Sequence, residues 1–312
     1  MQITPSPYIK SGLQVNRMIY LTLAALLLPS GAAVYFYGYR TLLVMVTCVA
    51  AGLLTEIASK KLRGRRFVMD GSAILISLLL ALTLPPTIDL WIAAVGAIFG
   101  VGVVKEAFGG LGHYIFSPVM GARIFLGISF PAETSRFIEP AGFSGRIVGA
   151  ESYLSEAFTW TGSKIDLYKD MFFGNTPGGM GETSALLILI AGVILIVLKL
   201  IDWRIPLAFI GTVAIINWAL GEDPLFQVLA GGLLLAAFFI ATDSVASPIT
   251  RKGRIIFAVG CGVFTVIIRN YASAPEGVYY AVLLMNAAAP LIDRFVKQKP
   301  QGIDKITRGT DA

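Results

Sequence analysis

The stretch 105–118, KEAFGGLGHYIFSP, separates two apolar runs at 90–104 and 119–130. It holds three glycines within four residues, and these are followed by His113, the only histidine of the chain. Glycines let a backbone approach a ligand or another backbone closely, because they carry no side chain. An ordinary turn between two apolar segments needs no such concentration of glycine. The sequence therefore predicts a hairpin that lines a binding site.

The composition around this hairpin is that of a membrane protein. Of the 312 residues, 56% are hydrophobic and only 14% are charged, whereas a soluble domain carries about 25% charged residues. The polar N-terminal segment 1–17 does not have the pattern of a cleavable signal peptide, so we expect the first apolar span to be retained. The net charge of +6 is typical of loops beside a membrane, and we expect no binding to nucleic acid.

The metal-ligating residue types are few. Cys48 and Cys261 both lie inside apolar segments, where cysteine more often acts as a small hydrophobic residue than as a ligand. The lone His113 cannot make a metal site by itself. We therefore expect neither a metal site nor an iron–sulfur cluster within this chain alone.

Ten apolar spans are visible along the chain, and several are shorter than the roughly 20 residues that an untilted membrane helix needs. The expected fold is an all-α polytopic membrane protein. The spans lie at about 18–36, 41–58, 70–84, 90–104, 118–130, 185–200, 205–220, 225–241, 255–269 and 277–293.

The charges of the loops predict the orientation. If the N-terminus is cytoplasmic, the segments on that side carry eighteen Lys and Arg residues, whereas the short outer loops carry only Arg40 and Arg269. Such a bias favours the cytoplasmic side for the positive segments. Both termini are then cytoplasmic, and the long loop 131–184 lies outside.

Five spans precede the long loop and five follow it, so two similar halves would be inverted relative to each other. The third span of each half holds a short segment that begins with glycine and is followed by proline, Gly71–Leu84 and Gly231–Ala241. The fourth spans share a Gly-x-Gly, and the fifth spans start after a proline. Short, interrupted spans at matching places point to an interior binding site. The expected organisation is a segment 1–17, a five-helix repeat 18–130, an outer loop 131–184, a second repeat 185–293 and a tail 294–312.

Polar residues near the ends of the spans fall into two groups, which we name by their expected side. Ionisable groups in such places are costly unless they are paired, solvated or functional. The inner group comprises Asp70, Lys105, Phe108, Gly109, Gly110, Gly112, His113, Arg123, Thr242 and Asp243. The outer group comprises Pro85, Gly179, Gly181, Glu182, Thr183, Ser184, Arg269 and Glu276.

Structural alternatives exist for these residues. Lys105, Arg123 and Arg269 can place their charged heads in water while their stems cover apolar surface. Asp243 and the polar residues that open the sixth span can cap a turn or a helix. The glycine hairpin follows no strand and is not a dinucleotide motif, and His113 can be a hydrogen-bonded structural residue.

Several motifs, spread over nearly the whole chain, together resemble one family: the D subunit of the Rnf electron-transport complex and its relative, the B subunit of the sodium-translocating NADH:quinone oxidoreductase. The short N-terminus is more similar to the Rnf protein. Besides the hairpin, the matching stretches are MDGS at 69–72, LLLALTLPP at 78–86, FFGNTPGGMGETSALL at 172–187, ATDSVASPIT at 241–250 and PEGVYYAVLLMN at 275–286.

The resemblance implies ten helices in two inverted halves and two flavins. FMN, usually joined by a phosphodiester to a threonine, would lie in the region of the outer group, and non-covalent riboflavin in that of the inner group. Electrons would come from a neighbouring flavin-bearing subunit of a complex that also contains iron–sulfur subunits. That complex lies in the prokaryotic cell (inner) membrane and couples electron transfer to Na⁺ or H⁺ movement.

The long loop departs from the family pattern at the flavin attachment motif. Ser152 stands where the family has its threonine, and the residues around it differ from the motif. Three outcomes remain open: Ser152 carries the flavin, FMN binds non-covalently, or the outer flavin is absent. Two rival functions are a small-solute channel or transporter on the same plan and a structural subunit that has lost its covalent FMN.

Overall fold

The structure, a computed structural model, describes residues 15–64, 69–138, 140, 149–150, 163–175, 177–272 and 276–296. Over these residues the protein is built from α-helices, and its one β-element is a short antiparallel pair of strands. This confirms the all-α class that the apolar spans predict.

The helices of the first half follow the apolar runs closely. They are α1 (Val15–Tyr37), α2 (Tyr39–Leu62), α3 (Ser72–Thr83), α4 (Leu90–Ile98), which continues without a break into the π-helical segment π1 (Phe99–Glu106), and α5 (Pro118–Ser129).

The second half begins after a region of short elements. These are α6 (Pro131–Thr134), the strands β1 (Phe137–Ile138) and β2 (Gly149–Ala150), and α7 (Lys164–Phe173). The remaining helices are α8 (Ala185–Val197), α9 (Arg204–Ala219), α10 (Pro224–Leu229), α11 (Leu233–Leu235) with its π-helical continuation π2 (Ala236–Ile240), α12 (Arg251–Tyr271) and α13 (Gly277–Phe295).

Three of these helices, α1, α2 and α12, are long and apolar enough to cross a membrane. The helices α3, α5, α8 and α9 are apolar but shorter. Many large apolar side chains are exposed on the outside of the bundle, such as Leu54 at 67% and Ile215 at 66%. An apolar exterior of this kind is expected for a protein whose solvent is lipid.

The apolar span 225–241 is not one continuous helix, and it is interrupted where its predicted glycine-led segment begins. The helices α10 and α11 are separated at Gly231 and Gly232, whose φ angles are 63° and 66°. A left-handed conformation is readily adopted by glycine but not by other residues, so two such glycines end one helix and allow another to start in a new direction.

The two halves pack mainly within themselves. In the first half α2 packs on α3 and α4, and in the second half α12 packs on α9 and α13. The main helix–helix contacts between the halves are those of α1 with α8 and of α5 with α13. Residues of both halves contribute to one hydrophobic core, so the chain forms a continuous bundle.

Candidate functional site

Lys105, at the end of π1, lies in a buried network of charges. Its Nζ is 2.6 Å from a carboxylate oxygen of Glu56 on α2, and these side chains are 0% and 1% exposed. Lys60, one turn further along α2, donates to the same oxygen at 3.0 Å. Lys105 therefore lies inside the protein, and the alternative that its head reaches water is wrong.

Glu106 extends this network toward the hairpin. Its carboxylate lies 3.5 Å from Lys105 Nζ and 3.9 Å from a guanidinium nitrogen of Arg63. The buried Oε1 of Glu106 has no hydrogen-bond partner within the described part of the chain. Asp70 lies 3.8 Å from Lys60. The charges of three cations, Lys60, Arg63 and Lys105, thus balance those of three carboxylates, Glu56, Asp70 and Glu106.

The glycine hairpin is tightly turned. Gly109, Gly110 and Gly112 have φ angles of 122°, 96° and 89°, a region that side chains rarely allow. Gly110 N donates to the carbonyl of Lys105 at 3.1 Å, which fixes the turn to the end of π1. His113 is exposed, and its Nδ1 lies 3.3 Å from the carbonyl of Leu111 in the same turn.

The remaining inner-group residues have different roles. Asp70 accepts hydrogen bonds from the N–H and hydroxyl of Ser72, so it stabilises the start of α3. The hydroxyl of Thr242 donates to the carbonyl of Phe238, four residues earlier in the chain. The neighbouring Asp243 accepts from the N–H of Val245, and this is the turn cap expected from the sequence.

The hairpin contacts the second half of the chain at two points. The hydroxyl of Tyr114 donates to Asp243 Oδ2 at 3.0 Å. The N–H of Ser117 donates to the side-chain oxygen of Asn286 on α13 at 3.1 Å. The hairpin of the first half is thus joined to Asp243, an inner-group residue of the second half, through Tyr114.

The loop that carries most of the outer group lies against the end of α3. The N–H groups of Met180 and Gly181 donate to the carbonyls of Leu84 and Leu82 at 2.9 and 2.7 Å. A methyl group on Gly181 would approach the Cβ of Leu82 to 2.6 Å, so glycine is required there. The adjacent Pro85 is buried in the turn that follows α3.

Arg123 belongs to the outer group, although the sequence analysis placed it in the inner one. Its guanidinium pairs with Glu276 and lies 5.5 Å from the ring centroid of Tyr279. The hydroxyl of Tyr279 in turn donates to Glu182. Arg123 lies in the outer group because it is more than one turn inside α5, where α13 packs, and not at the level of the hairpin.

Arg269 interacts with backbone rather than with a carboxylate. Its guanidinium donates to the carbonyls of Gln227, Ala230 and Gly231, at 2.7, 3.0 and 3.1 Å. A cation is favourable at this place because the carbonyls at a helix C-terminus carry partial negative charge. Arg269 thereby holds the break between α10 and α11 in place.

Two polar residues of the outer loop stabilise local structure. The hydroxyl of Ser184 accepts from the N–H of Leu187 and caps α8, as the sequence analysis considered for this segment. Thr183 donates to the carbonyl of Met180 at 3.2 Å. Gly179 lies beside Glu182, whose carboxyl carbon would be 3.0 Å from a Cβ at that glycine.

Ser152 lies outside the described residues, and so does the rest of segment 151–162. Two apolar grooves of about 490 and 510 Å³ are open at the surface, and neither is lined by a member of the two groups. Three residues that the sequence does not predict as site residues contact the two groups or the segments that carry them: Glu56, Tyr279 and Asn286. A lone acid inside an apolar span is a signal that could have identified Glu56.

The sequence matches one family model, described as the NQR2, RnfD, RnfE family, over residues 2–302. It is 38% identical to the D subunit of the Na(+)-translocating ferredoxin:NAD(+) oxidoreductase complex of Acetobacterium woodii, over 100% of this chain and 98% of the relative. It is also 38% identical to the D subunit of the Proton-translocating ferredoxin:NAD(+) oxidoreductase complex of Clostridium ljungdahlii, over 95% and 94% of the two chains. This chain belongs to the NQR2, RnfD, RnfE family.

Proposed function

We propose that this chain is the D subunit of an ion-translocating ferredoxin:NAD oxidoreductase complex and relays electrons through FMN and riboflavin. The observation that carries the proposal is the end-to-end match with relatives named as the D subunits of such complexes. In this proposal the chain lies in the cell (inner) membrane with both termini in the cytoplasm. Its partners are a flavin-bearing subunit and iron–sulfur subunits of the same complex.

The proposed architecture is ten membrane helices in two inverted repeats. It is supported by the short helices α3 and α11, each of which starts at a glycine in the left-handed conformation, Gly71 and Gly232. The start of α3 lies in the inner group, next to Asp70. The start of α11 lies in the outer group, where a Cβ on Gly232 would meet Glu182 and Tyr279. Equivalent helix starts in opposite groups are what an inverted repeat predicts.

The polar character of the inner group supports its assignment to riboflavin. The hairpin offers a half-exposed aromatic side chain, Phe108, and open space next to Gly112. Apart from its neighbours in the chain, no atom of the described residues would lie within 4 Å of a Cβ at Gly112. The Oε1 of Glu106 lies 3.5 Å from Lys105 Nζ but accepts no hydrogen bond from the described residues, so a ligand donor can satisfy it. Tyr114 and Thr242 complete the polar residues on which the proposal relies.

The outer group fits the FMN in a similar way. The loop 177–184 supplies backbone N–H groups and small residues, among them Gly179 and Thr183. The Nε atoms of Arg123 and Arg269 are buried without a hydrogen-bond partner among the described residues. A phosphate or a flavin ring edge is a suitable acceptor for such groups. Ser152 is the proposed attachment point.

Flavins supply the step between two-electron and one-electron transfer. The protein's contribution is to hold each ring in a fixed and partly dry environment. Since Lys105 is balanced by Glu56, and Arg123 by Glu276, the charges near each site are set before any ligand binds. Such preorganised charges interact more strongly inside the protein than they would in water.

The test is to purify the complex and to identify its flavins by chromatography after acid extraction. We expect one riboflavin in the soluble extract and an FMN that stays with this chain. A preparation of this chain, separated from its partner subunits, whose visible spectrum lacks flavin absorbance would exclude an electron relay through this chain.

The attachment point is tested by the fluorescence of the denatured chain on a gel. We expect Ser152→Ala to lose the fluorescent band and the neighbouring Ser155→Ala to keep it. A band that survives in Ser152→Ala removes Ser152 from the proposal.

A further inference from the structure

Asn286 is a buried amide on α13 that bonds to the backbone of both halves. Its side-chain oxygen accepts from the N–H of Ser117 at 3.1 Å, and its side-chain nitrogen donates to the carbonyl of Ala246 at 3.0 Å. The residue is only 1% exposed. One side chain thus joins the end of the glycine hairpin to the loop 241–250.

The chemistry of the two partners makes the amide hard to replace. A backbone N–H can only donate and a carbonyl can only accept, so the side chain must offer one acceptor and one donor in a fixed orientation. Aspartate, when ionised, lacks the donor for Ala246. Leucine has about the same size as asparagine and lacks both groups, so both buried backbone partners would be left unsatisfied.

The place of this link within the inner group indicates its role. Ser117 directly precedes α5 and ends the hairpin, whereas Ala246 follows Asp243 in the facing loop. A second link, Tyr114 to Asp243 at 3.0 Å, joins the same two segments nearby. The distance between the hairpin and the facing loop is therefore set by these two contacts.

We propose that Asn286 is a positioning residue of the inner site: it holds the glycine hairpin and the loop 241–250 at the separation that the bound flavin requires. The inference rests on the proposed function, since the ligand is the proposed riboflavin. The role of Asn286 is to fix two backbones, so its loss acts on the ligand through them.

The experiment compares Asn286→Leu with Asn217→Leu in the assembled complex. Asn217 is a matched control, because it is also 1% exposed but donates to the carbonyl of Val213 in its own helix, α9. We expect Asn286→Leu to bind riboflavin about tenfold more weakly, as when a buried hydrogen bond is lost. FMN content and riboflavin in Asn217→Leu should remain as in the wild type.

The outcomes separate this inference from the function on which it rests. A wild-type complex without riboflavin overturns the proposed function of the inner site. Riboflavin in the wild type that is held equally well by Asn286→Leu overturns only the positioning role.

A second variant applies if Asn286→Leu does not assemble. Asn286→Gln keeps the donor and the acceptor on a longer side chain, so it should keep riboflavin and shift its midpoint potential in a redox titration. In the control Asn217→Leu, the midpoint potential of riboflavin should equal that of the wild type. If Asn286→Gln also has the wild-type potential, the proposal is contradicted.

Discussion

The buried charges around Lys105 and those around Arg123 differ in the parts of the chain that they join. Lys105 pairs with Glu56 and approaches Glu106, so its network lies within the first half. Arg123 pairs with Glu276, which precedes α13, so its network joins the two halves. The first network also has a second cation, Lys60, on the same Glu56 oxygen.

The two charge networks can therefore serve different purposes. A redundant network within one half keeps its carboxylate paired even when one cation is removed. A single ion pair between halves has no substitute among the described residues, and its loss leaves a carboxylate without a cation. The side chain of Arg123 is 2% exposed and that of Glu276 is 28% exposed. Ion pairs inside a protein are costly to break, even where forming them contributes little.

The greatest loss of stability should come from removing the ion pair between Arg123 and Glu276. We expect Arg123→Met to lower the free energy of unfolding by about 4 kcal/mol, because Glu276 would lose its only direct cation among the described residues. Lys105→Met should cost about 2 kcal/mol, because Lys60 still neutralises Glu56. Thermal unfolding of the purified variants in detergent measures both, and an equal or larger loss for Lys105→Met contradicts the comparison.

An exposed pair provides the control for this measurement. Arg136 is 65% exposed and lies 3.4 Å from Glu133. Since exposed pairs contribute little, Arg136→Met should change the free energy of unfolding by less than about 1 kcal/mol.

The next effect concerns a glycine in each group. At Gly232, φ is +66°, and a Cβ would come within 2.7 Å of the Tyr279 hydroxyl. Gly232→Ala is therefore expected to cost about 3 kcal/mol, from backbone strain and overpacking together. At Gly112, φ is +89° but the space is open, so Gly112→Ala should cost about 1 kcal/mol, from strain alone.

The same unfolding measurement tests the glycine pair. If Gly232→Ala and Gly112→Ala lose the same free energy of unfolding, the close packing of Gly232 against Glu182 and Tyr279 adds nothing to the cost of backbone strain. The comparison between a closely packed and an open loop would then have to be abandoned.

The smallest effect is a pH dependence at Asp202, in the loop between α8 and α9. Burial acts to raise the pKa of Asp202, but hydrogen bonds from Arg204 and Arg254 and their charges lower it overall. Arg254 lies 3.0 Å and Arg204 3.4 Å from the carboxylate. A lowered pKa stabilises the folded protein fully above the unfolded value of about 4, and this stabilisation is lost as the pH falls through the folded value.

We therefore expect the wild type to lose more stability than Asp202→Asn when the pH is lowered from about 5 to about 3. Unfolding temperatures of both proteins at the two pH values measure the difference. Parallel curves would show that this partly exposed pair contributes nothing, in contrast to the buried pairs of the two groups.

The helices could be predicted from the sequence because lipid requires long apolar runs. Helical structure lies within the predicted apolar spans, and α12 extends beyond its span at both ends, from Arg251 to Tyr271. Among the helices that the structure describes, three are long and apolar enough to cross a membrane, and the number of ten membrane helices stays a prediction. The adjacent glycines Gly231 and Gly232 are a recognisable signal for an interruption of span 225–241, but the new direction of the helix that follows them could not be predicted. Hydropathy measures the average over a segment and is insensitive to a change in backbone direction.

The membership of the candidate site stays a prediction, and the pairing of its residues could not be predicted from the sequence. Polar residues in apolar surroundings stand out, and Asp243 and Tyr114 do lie together. The pairing of Arg123 with Glu276 depends on how α5 packs on α13, which no local pattern specifies. Asn286 was missed because one amide in an apolar run resembles many that serve only their own helix, as Asn217 does.

The π-helical segment π1 has a consequence for changes in chain length. Phe99–Glu106 winds more loosely than an α-helix, so it holds extra residues for the height it covers. Deleting one residue in the regular helix α4, which precedes π1, would turn everything beyond it by about 100°. Lys105 would then point away from Glu56, and the hairpin would leave Asp243. Deleting one residue within π1 would instead let the segment relax to an α-helix, so the residues beyond it would stay close to their present direction. The loosely wound segment is therefore the place in this helix where a change in chain length disturbs the inner group least.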